Sequence, residues 1–154
     1  MRPRTPERLW ALSRSLHARG WVWAARMVKT FNYLAPRALL PAEAKVGNEI
    51  ILEHYALGIV IHPNVVIGDR CRIYHHVTLA SESVIGSPNC IIIGDDVTIG
   101  AHSIVIPRMN TTLTLGNRSI LGAGSVLTKS IPPGEVWAGN PARKIGYERP
   151  EHRK

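Results

Sequence analysis

The chain of 154 residues carries a formal net charge of +8 and is 45% hydrophobic, which leaves room for one domain and an appendage. It has no run of about 18 apolar residues, which excludes a membrane-spanning helix. Its N-terminus lacks a long apolar core and a small-residue cleavage site, which argues against a signal peptide and predicts a cytoplasmic protein.

The first 37 residues hold Arg2, Arg4, Arg8, Arg14, Arg19, Arg26, Lys29 and Arg37 against Glu7 alone, so seven of the eight net charges sit there. Residues 1–38 are a basic segment in which 6–19 and 21–34 predict two helices broken at Gly20. Leu9, Leu12 and Leu16 mark one face of the first helix. Ala24, Met27, Val28 and Phe31, joined by Trp21 and Leu34, mark a face of the second, and Pro36 ends it. Such faces predict a cap over the apolar end of the element that follows. Arginines beside Trp10, Trp21 and Trp23 add a second expectation, peripheral contact with an anionic membrane. No nucleic-acid motif accompanies the charge, so no nucleic-acid partner is expected.

From Leu40 the sequence has a period of six. Ile61, Ile67, Ile73 and Leu79 keep the step, and Val65, Cys71 and Val77 follow the first three by four places. Upstream, Leu40, Val46 and Leu52 continue it with Ala44 and Ala56 at the small position. Downstream come Ile93, Ile99 and Val105, then Leu115, Leu121 and Leu127, with Val97, Ser103, Ser119 and Ser125. Neither a helix nor an ordinary strand has this period. It is the hexapeptide repeat of a parallel β-helix, an all-β solenoid in which three hexapeptides close one triangular coil. One coil cannot bury its own faces, so coils stack. The β-helix is expected over 39–131, with Cys71 a buried free thiol.

Three insertions break the step: E-H-Y-A-L-G-I-V after Leu52, A-S-E-S-V-I-G-S-P-N-C-I-I after Leu79, and I-P-R-M-N-T-T-L-T after Val105. They are expected as loops from one corner, where function concentrates. Beyond Lys129, Pro132, Pro133 and Pro141 cannot donate ladder hydrogen bonds, so 132–154 is expected as an extended arm with a polar tail.

The stretches L-E-H-Y-A-L-G-I-V-I-H-P-N-V-V-I-G-D, V-T-L-A-S, I-G-D-D-V-T-I-G-A, L-G-A-G-S-V-L-T-K-S-I-P-P-G and A-G-N-P-A-R-K-I resemble the hexapeptide-repeat acyltransferases. Within them the match is to the serine acetyltransferase-like branch, which includes short polysaccharide O-acetyltransferases. The resemblance implies a left-handed β-helix, acetyl transfer from acetyl-CoA to a hydroxyl, and a homotrimer with active sites between subunits. It implies His54 as the catalytic base, with acidic Glu53 before it. The chemistry agrees: a hydroxyl attacking a thioester near neutral pH needs a base, and histidine titrates near ~6.5.

Two positions depart from full serine acetyltransferases. Leu39 stands where they carry an aspartate that supports the histidine and meets the amino acid, and the loop S-V-I-G-S-P-N-C lacks their histidine. The expected acceptor is therefore a hydroxyl of a sugar or polysaccharide precursor, with serine as the alternative and a non-catalytic trimeric scaffold as a third reading. Asp69, Glu53 or a carboxylate of a neighbouring chain stays open as the group that orients His54.

His75 and His76, one coil on, are expected to line the acceptor groove. His102 would border the CoA channel, His62 lies at a corner, and His17 and His152 face solvent. His54, His76 and His102 match in type the zinc triads of γ-type carbonic anhydrases, which share the fold. The paired histidines spaced five apart are missing, however, so no metal is expected. For acetyl-CoA, the resemblance implies a pantetheine path along Ala80, Ser81, Ala101 and Ala123, with an oxyanion held by backbone N–H groups near Ser81. Lys129, Arg143 and Lys144 would lie toward the phosphates.

Overall fold

The computed structural model describes residues 5–34, 37–81 and 84–148. Pro36 and His152, and Glu82 and Ser83 of the second insertion, lie outside them.

The period of six becomes a left-handed parallel β-helix of about four turns. Its first face carries β1 (Lys45–Val46), β4 (Val65–Ile67), β7 (Ile91–Ile93) and β10 (Leu113–Leu115). The second carries β2 (Ile51–Leu52), β5 (Arg72–Ile73), β8 (Thr98–Ile99) and β11 (Ile120–Leu121). The third carries β3 (Val60–Ile61), β6 (Thr78–Leu79), β9 (Ile104–Val105) and β12 (Val126–Leu127).

Neighbouring coils pair in parallel so that like residues meet: Ile67 with Ile93, Ile73 with Ile99, Leu79 with Val105. Leu52, Ile73, Ile99 and Leu121 stack inside the second face, and Ile61, Leu79, Val105 and Leu127 inside the third, all buried. Each such side chain contributes roughly 1.5–3 kcal/mol on burial. The small positions are buried too. Ser103 is kept there by donating its hydroxyl to the Gly122 carbonyl at 2.8 Å, and Ser125 Oγ accepts the Gly139 N–H at 3.1 Å.

The corner from the first face to the second is tied by side chains. Asp69 Oδ1 accepts the Asn48 N–H at 2.7 Å, Asp95 Oδ1 that of Asp69 at 2.9 Å, and Asn117 Oδ1 that of Asp95 at 3.0 Å. Arg70 forks onto Asp96 with bonds of 3.0 and 2.9 Å.

The helices α1 (Thr5–Ala18) and α2 (Val22–Leu34) flank Gly20, whose φ is 80°. α1 caps the first coil, but not through the leucine face the sequence suggested. Trp10 donates its indole N–H to the Pro41 carbonyl at 2.9 Å, Arg14 reaches the Val46 carbonyl at 2.6 Å, and Glu7 Oε1 accepts the Leu52 N–H at 2.8 Å. β2 is the edge strand of its sheet, so Glu7 stands where a preceding coil's carbonyl would be. A polar edge needs polar partners, which is why Leu12 is left exposed. α2 buries Ala25 and Asn32 against α1, while Met27, Phe31, Trp21 and Leu34 of its expected inner face are exposed.

Two further expectations change. The stretch after Ile131 is extended but not a detached arm. β13 (Glu135–Ala138) pairs in parallel with β11, and β14 (Arg143–Tyr147) folds back antiparallel on β13. The prolines lie outside these strands, so the ladder loses no donor. The insertions leave from two corners: 53–59 joins the second face to the third, whereas 80–90 and 106–112 join the third to the first.

Candidate active site

The corner between the second and third faces is made of four stacked turns. The His76 N–H donates to Leu57, that of His102 to His75, and that of Gly124 to Ala101, at 2.8, 3.1 and 2.8 Å. The first turn is the insertion Glu53–Ala56, and it is tight. His54 has φ 52° and ψ 43°, Tyr55 φ 57°, and Ala56 φ 60°. Three successive non-glycine residues in the left-handed region cost roughly 1–2 kcal/mol each. Such backbone persists where the surroundings impose it and is a common mark of a working site. Ala56 is buried, and Ile59 beyond it is too. These anchors hold the turn while His54 projects outward, exposed.

Stacking of the coils then gathers histidines that are far apart in sequence. The His54 ring meets His75 edge-on at 4.6 Å between centroids. His75 in turn lies 5.6 Å from His76 and 5.2 Å from His102. His76 and His102 stack 4.8 Å apart at 20°. His75 is the centre of the group. Its Nδ1 is buried and has no hydrogen-bond partner among the described residues. Burial, and then the neighbouring His54, His102 and His76, push its pKa below the ordinary value, so the neutral imidazole is favoured. A neutral ring offers one donor and one acceptor. Parallel rings such as His76 and His102 do not converge their lone pairs on one point, which is poor geometry for a zinc triad.

The other expected residues divide. Glu53 directs its carboxylate to Arg72 at 3.8 Å. Asp69 is corrected as a partner for His54: it belongs to the corner between the first and second faces, where it holds Asn48. Leu39 pairs with Val60 beside β3, so no carboxylate occupies that position. His62 accepts the Asn64 N–H on Nδ1 at 3.1 Å, away from the histidine group, and burial lowers its pKa.

Ala101 and Ala123 lie in the histidine corner, one coil above the other, and Gly100 packs so close beneath that an added Cβ would lie 2.5 Å from the Ala123 nitrogen. Ala80, Ser81 and Lys129 lie at the next corner, across the third face. Lys144 is bound to Glu135 at 2.6 Å and sits over the Tyr147 ring, while Arg143 is exposed. Sequence reasoning set His102 beside a cofactor channel and grouped it with His54 and His76 only by residue type; the structure brings it against His75 and His76. The signal was its position, two places after Gly100, matching His76 two places after Tyr74 in the coil before.

Comparison with known proteins agrees with this architecture. The family described as hexapeptide repeat of succinyl-transferase matches residues 90–129. The serine acetyltransferase of Mycobacterium tuberculosis (strain ATCC 25618 / H37Rv) is 31% identical over 84% of this chain and 57% of its own length. The galactoside O-acetyltransferase of Escherichia coli (strain K12) is 35% identical over 64% of this chain and 47% of its own. The crystal structure of serine acetyltransferase in complex with coenzyme A from Brucella abortus strain S19 superposes with a TM-score of 0.83 at 27% identity, covering 92% of this chain and 55% of that one. The chain thus spans about half the length of these relatives. With the hexapeptide coils and the matched stretches in place, the chain is a hexapeptide-repeat protein whose homologues are serine acetyltransferases and a galactoside O-acetyltransferase.

Proposed function

We propose that this protein is an acetyl-CoA-dependent O-acetyltransferase with His54 as general base. The observation that carries this is the histidine corner: His54 projects from a left-handed turn against His75, whose ring favours the neutral form and holds an unpartnered buried nitrogen. Such a nitrogen calls for a partner, and a substrate hydroxyl in the groove would supply one. His54 takes the acceptor proton and the alkoxide attacks the acetyl carbonyl. The tetrahedral intermediate then expels the CoA thiolate, which takes up the proton from His54. His75 and His76 line the acceptor side, and His102 extends it.

For the cofactor, Ala101 and Ala123 offer close backbone approach in the same corner, while Ala80, Ser81 and Lys129 belong to the next one. A homotrimer with the site between subunits reconciles the two sets, because the second set would come from a neighbouring β-helix. Arg143 and Lys129 are the bases available to phosphates, since Lys144 is already held by Glu135. In this reading the β-helix of 39–131 works in the cytoplasm, flanked by the basic segment 1–38 and the stretch 132–154.

Serine is the acceptor that the relatives favour over a sugar. A sugar hydroxyl is the second reading, supported by the galactoside O-acetyltransferase relative and by Leu39 where a carboxylate would meet an amino acid. Thiol release from acetyl-CoA with L-serine and with a galactoside decides between them. His54→Ala is expected to lower kcat by about 10² or more with the light-scattering mass of the assembly unchanged. Unchanged turnover removes His54 from the mechanism, and no CoA binding by calorimetry would leave only a scaffold.

A further inference from the structure

The N-terminal helices present a surface that neither the β-helix nor the proposed reaction uses. α1 spends Glu7, Trp10 and Arg14 on the first coil, and α2 docks on α1 through Ala25 and Asn32. The other side of α2 is bare: Trp23 is 71% exposed, Leu34 69% and Met27 66%, with Trp21, Phe31 and Tyr33 each more than half exposed. Trp23, Met27, Phe31 and Leu34 line one open groove, and Arg26 lines it with them. A contiguous apolar surface of this kind marks a contact with something else.

Charge says what that contact is. Seven of the eight net positive charges of the chain lie within residues 1–37. Arg8, Arg19, Arg26 and Arg37 are exposed, whereas Glu7, the one acid of the segment, is buried. A second copy of this face would set like charge against like charge. An anionic lipid surface offers opposite charge at the headgroups and an apolar layer directly beneath. We propose that α2 is a docking face for anionic phospholipid membranes. It lies flat, with Trp23, Met27 and Phe31 in the acyl boundary and Arg26, with Arg19 and Arg37 on either side of the helix, among the headgroups. No described helix is long and apolar enough to cross a membrane, and α2 has only 13 residues, so the contact is peripheral.

The test mixes the full chain with phosphatidylcholine vesicles, with and without phosphatidylserine, and sediments them at low and high salt. The expected result is pelleting with the anionic vesicles alone, lost at high salt, with a blue shift of tryptophan emission. One basic residue near such a surface is worth about fivefold in partition. Arg19→Gln, Arg26→Gln and Arg37→Gln together are therefore expected to weaken binding at least tenfold. Trp23→Ser, Met27→Ser and Phe31→Ser together keep the charge and are expected to weaken it comparably. All six side chains are exposed, so both variants should keep the circular dichroism and thermal midpoint of the wild type.

Wild type that stays in the supernatant with anionic vesicles at low salt overturns the proposal. So does a Trp23, Met27 and Phe31 variant that pellets like wild type, because binding would then be only the adhesion of a protein with a pI of about 10.1. So, too, does a lipid-free oligomer that becomes smaller in that variant, because a second copy would then be what covers the face.

Discussion

Gly58, His76, His102 and Gly124 hold the same place in successive turns of the histidine corner, with φ of 66°, 55°, 59° and 66°. The two glycines share a backbone but not a neighbourhood. A Cβ on Gly58 would lie 2.1 Å from His76 Nδ1 and 2.6 Å from its Cε1, while one on Gly124 meets nothing within 4 Å. Alanine at each site therefore separates backbone strain from contact. The left-handed backbone costs roughly 1 kcal/mol at either position. Gly58→Ala must also move the His76 ring. That ring is exposed and free to swing outward, so what it forfeits is its stack on His102, worth under about 1 kcal/mol.

Denaturant melts should thus show a loss of about 1 kcal/mol for Gly124→Ala and about 1–2 kcal/mol for Gly58→Ala. Kinetics should separate the two effects of Gly58→Ala more sharply. With His76 displaced, the KM for the acceptor should rise several-fold while the KM for acetyl-CoA stays put. An acceptor KM equal to that of the wild type would show that His76 does not meet the acceptor. A stability loss above about 3 kcal/mol would show that the ring is fixed by packing and that the reasoning about its freedom is wrong.

Two more outcomes follow from the same geometry. His75 has its pKa lowered from 6.5 in the folded chain, so below that value the unfolded chain binds a proton that the folded one resists. Stability should be complete above about pH 6.5 and fall as the pH drops further; thermal midpoints measured for wild type and His75→Gln check this, and the variant should lose part of the acid slope. Asp95→Ala leaves the Asp69 N–H without its acceptor, so it should cost about 1 kcal/mol in a denaturant melt with turnover unchanged, since that corner lies away from the histidines.

The β-helix was legible because its constraint is one-dimensional. Every sixth residue must fill the prism, and Ile61, Ile67, Ile73 and Leu79 do so whatever the rest of the chain does. The helices were legible as helices but not in their orientation. The first coil ends in an open strand edge, and the unpaired Leu52 N–H attracts Glu7, a contact no hydrophobic pattern announces. Trp10 reads as a surface anchor beside arginines, yet its indole N–H makes it the residue that closes on Pro41. The site was half legible. His54 stands out because it breaks the repeat. Which coil sits above which corner depends instead on the lengths of the insertions, and so His102 joins the histidines while Ala80 and Ser81 move to the next corner.

The three corners differ in how fully their polar groups are satisfied, and that difference argues for where chemistry takes place. At the corner between the first and second faces, each turn hands a backbone N–H to the side-chain oxygen of the next coil, from Asn48 through Asp69 and Asp95 to Asn117. Arg70 and Asp96 neutralise each other beside that ladder. Glycines at 47, 68 and 94 leave the ladder room, since a Cβ there would strike the oxygen that does the bonding at 2.4 Å or less. The ladder itself is closed from end to end, and at its last turn only the small hydroxyl of Ser119 is buried without a partner among the described residues. At the corner that carries the longest insertion, Asn64 ties the loop down through the Val84 carbonyl and the Gly86 N–H. The histidine corner differs in having three successive left-handed residues, His54 to Ala56, and a buried imidazole nitrogen on His75 that no described group meets. A stacked fold can satisfy its turns by repetition, as the aspartate ladder shows. Where repetition gives way to four imidazoles instead, stability does not explain the choice of residues, and the incoming hydroxyl of the proposed reaction would.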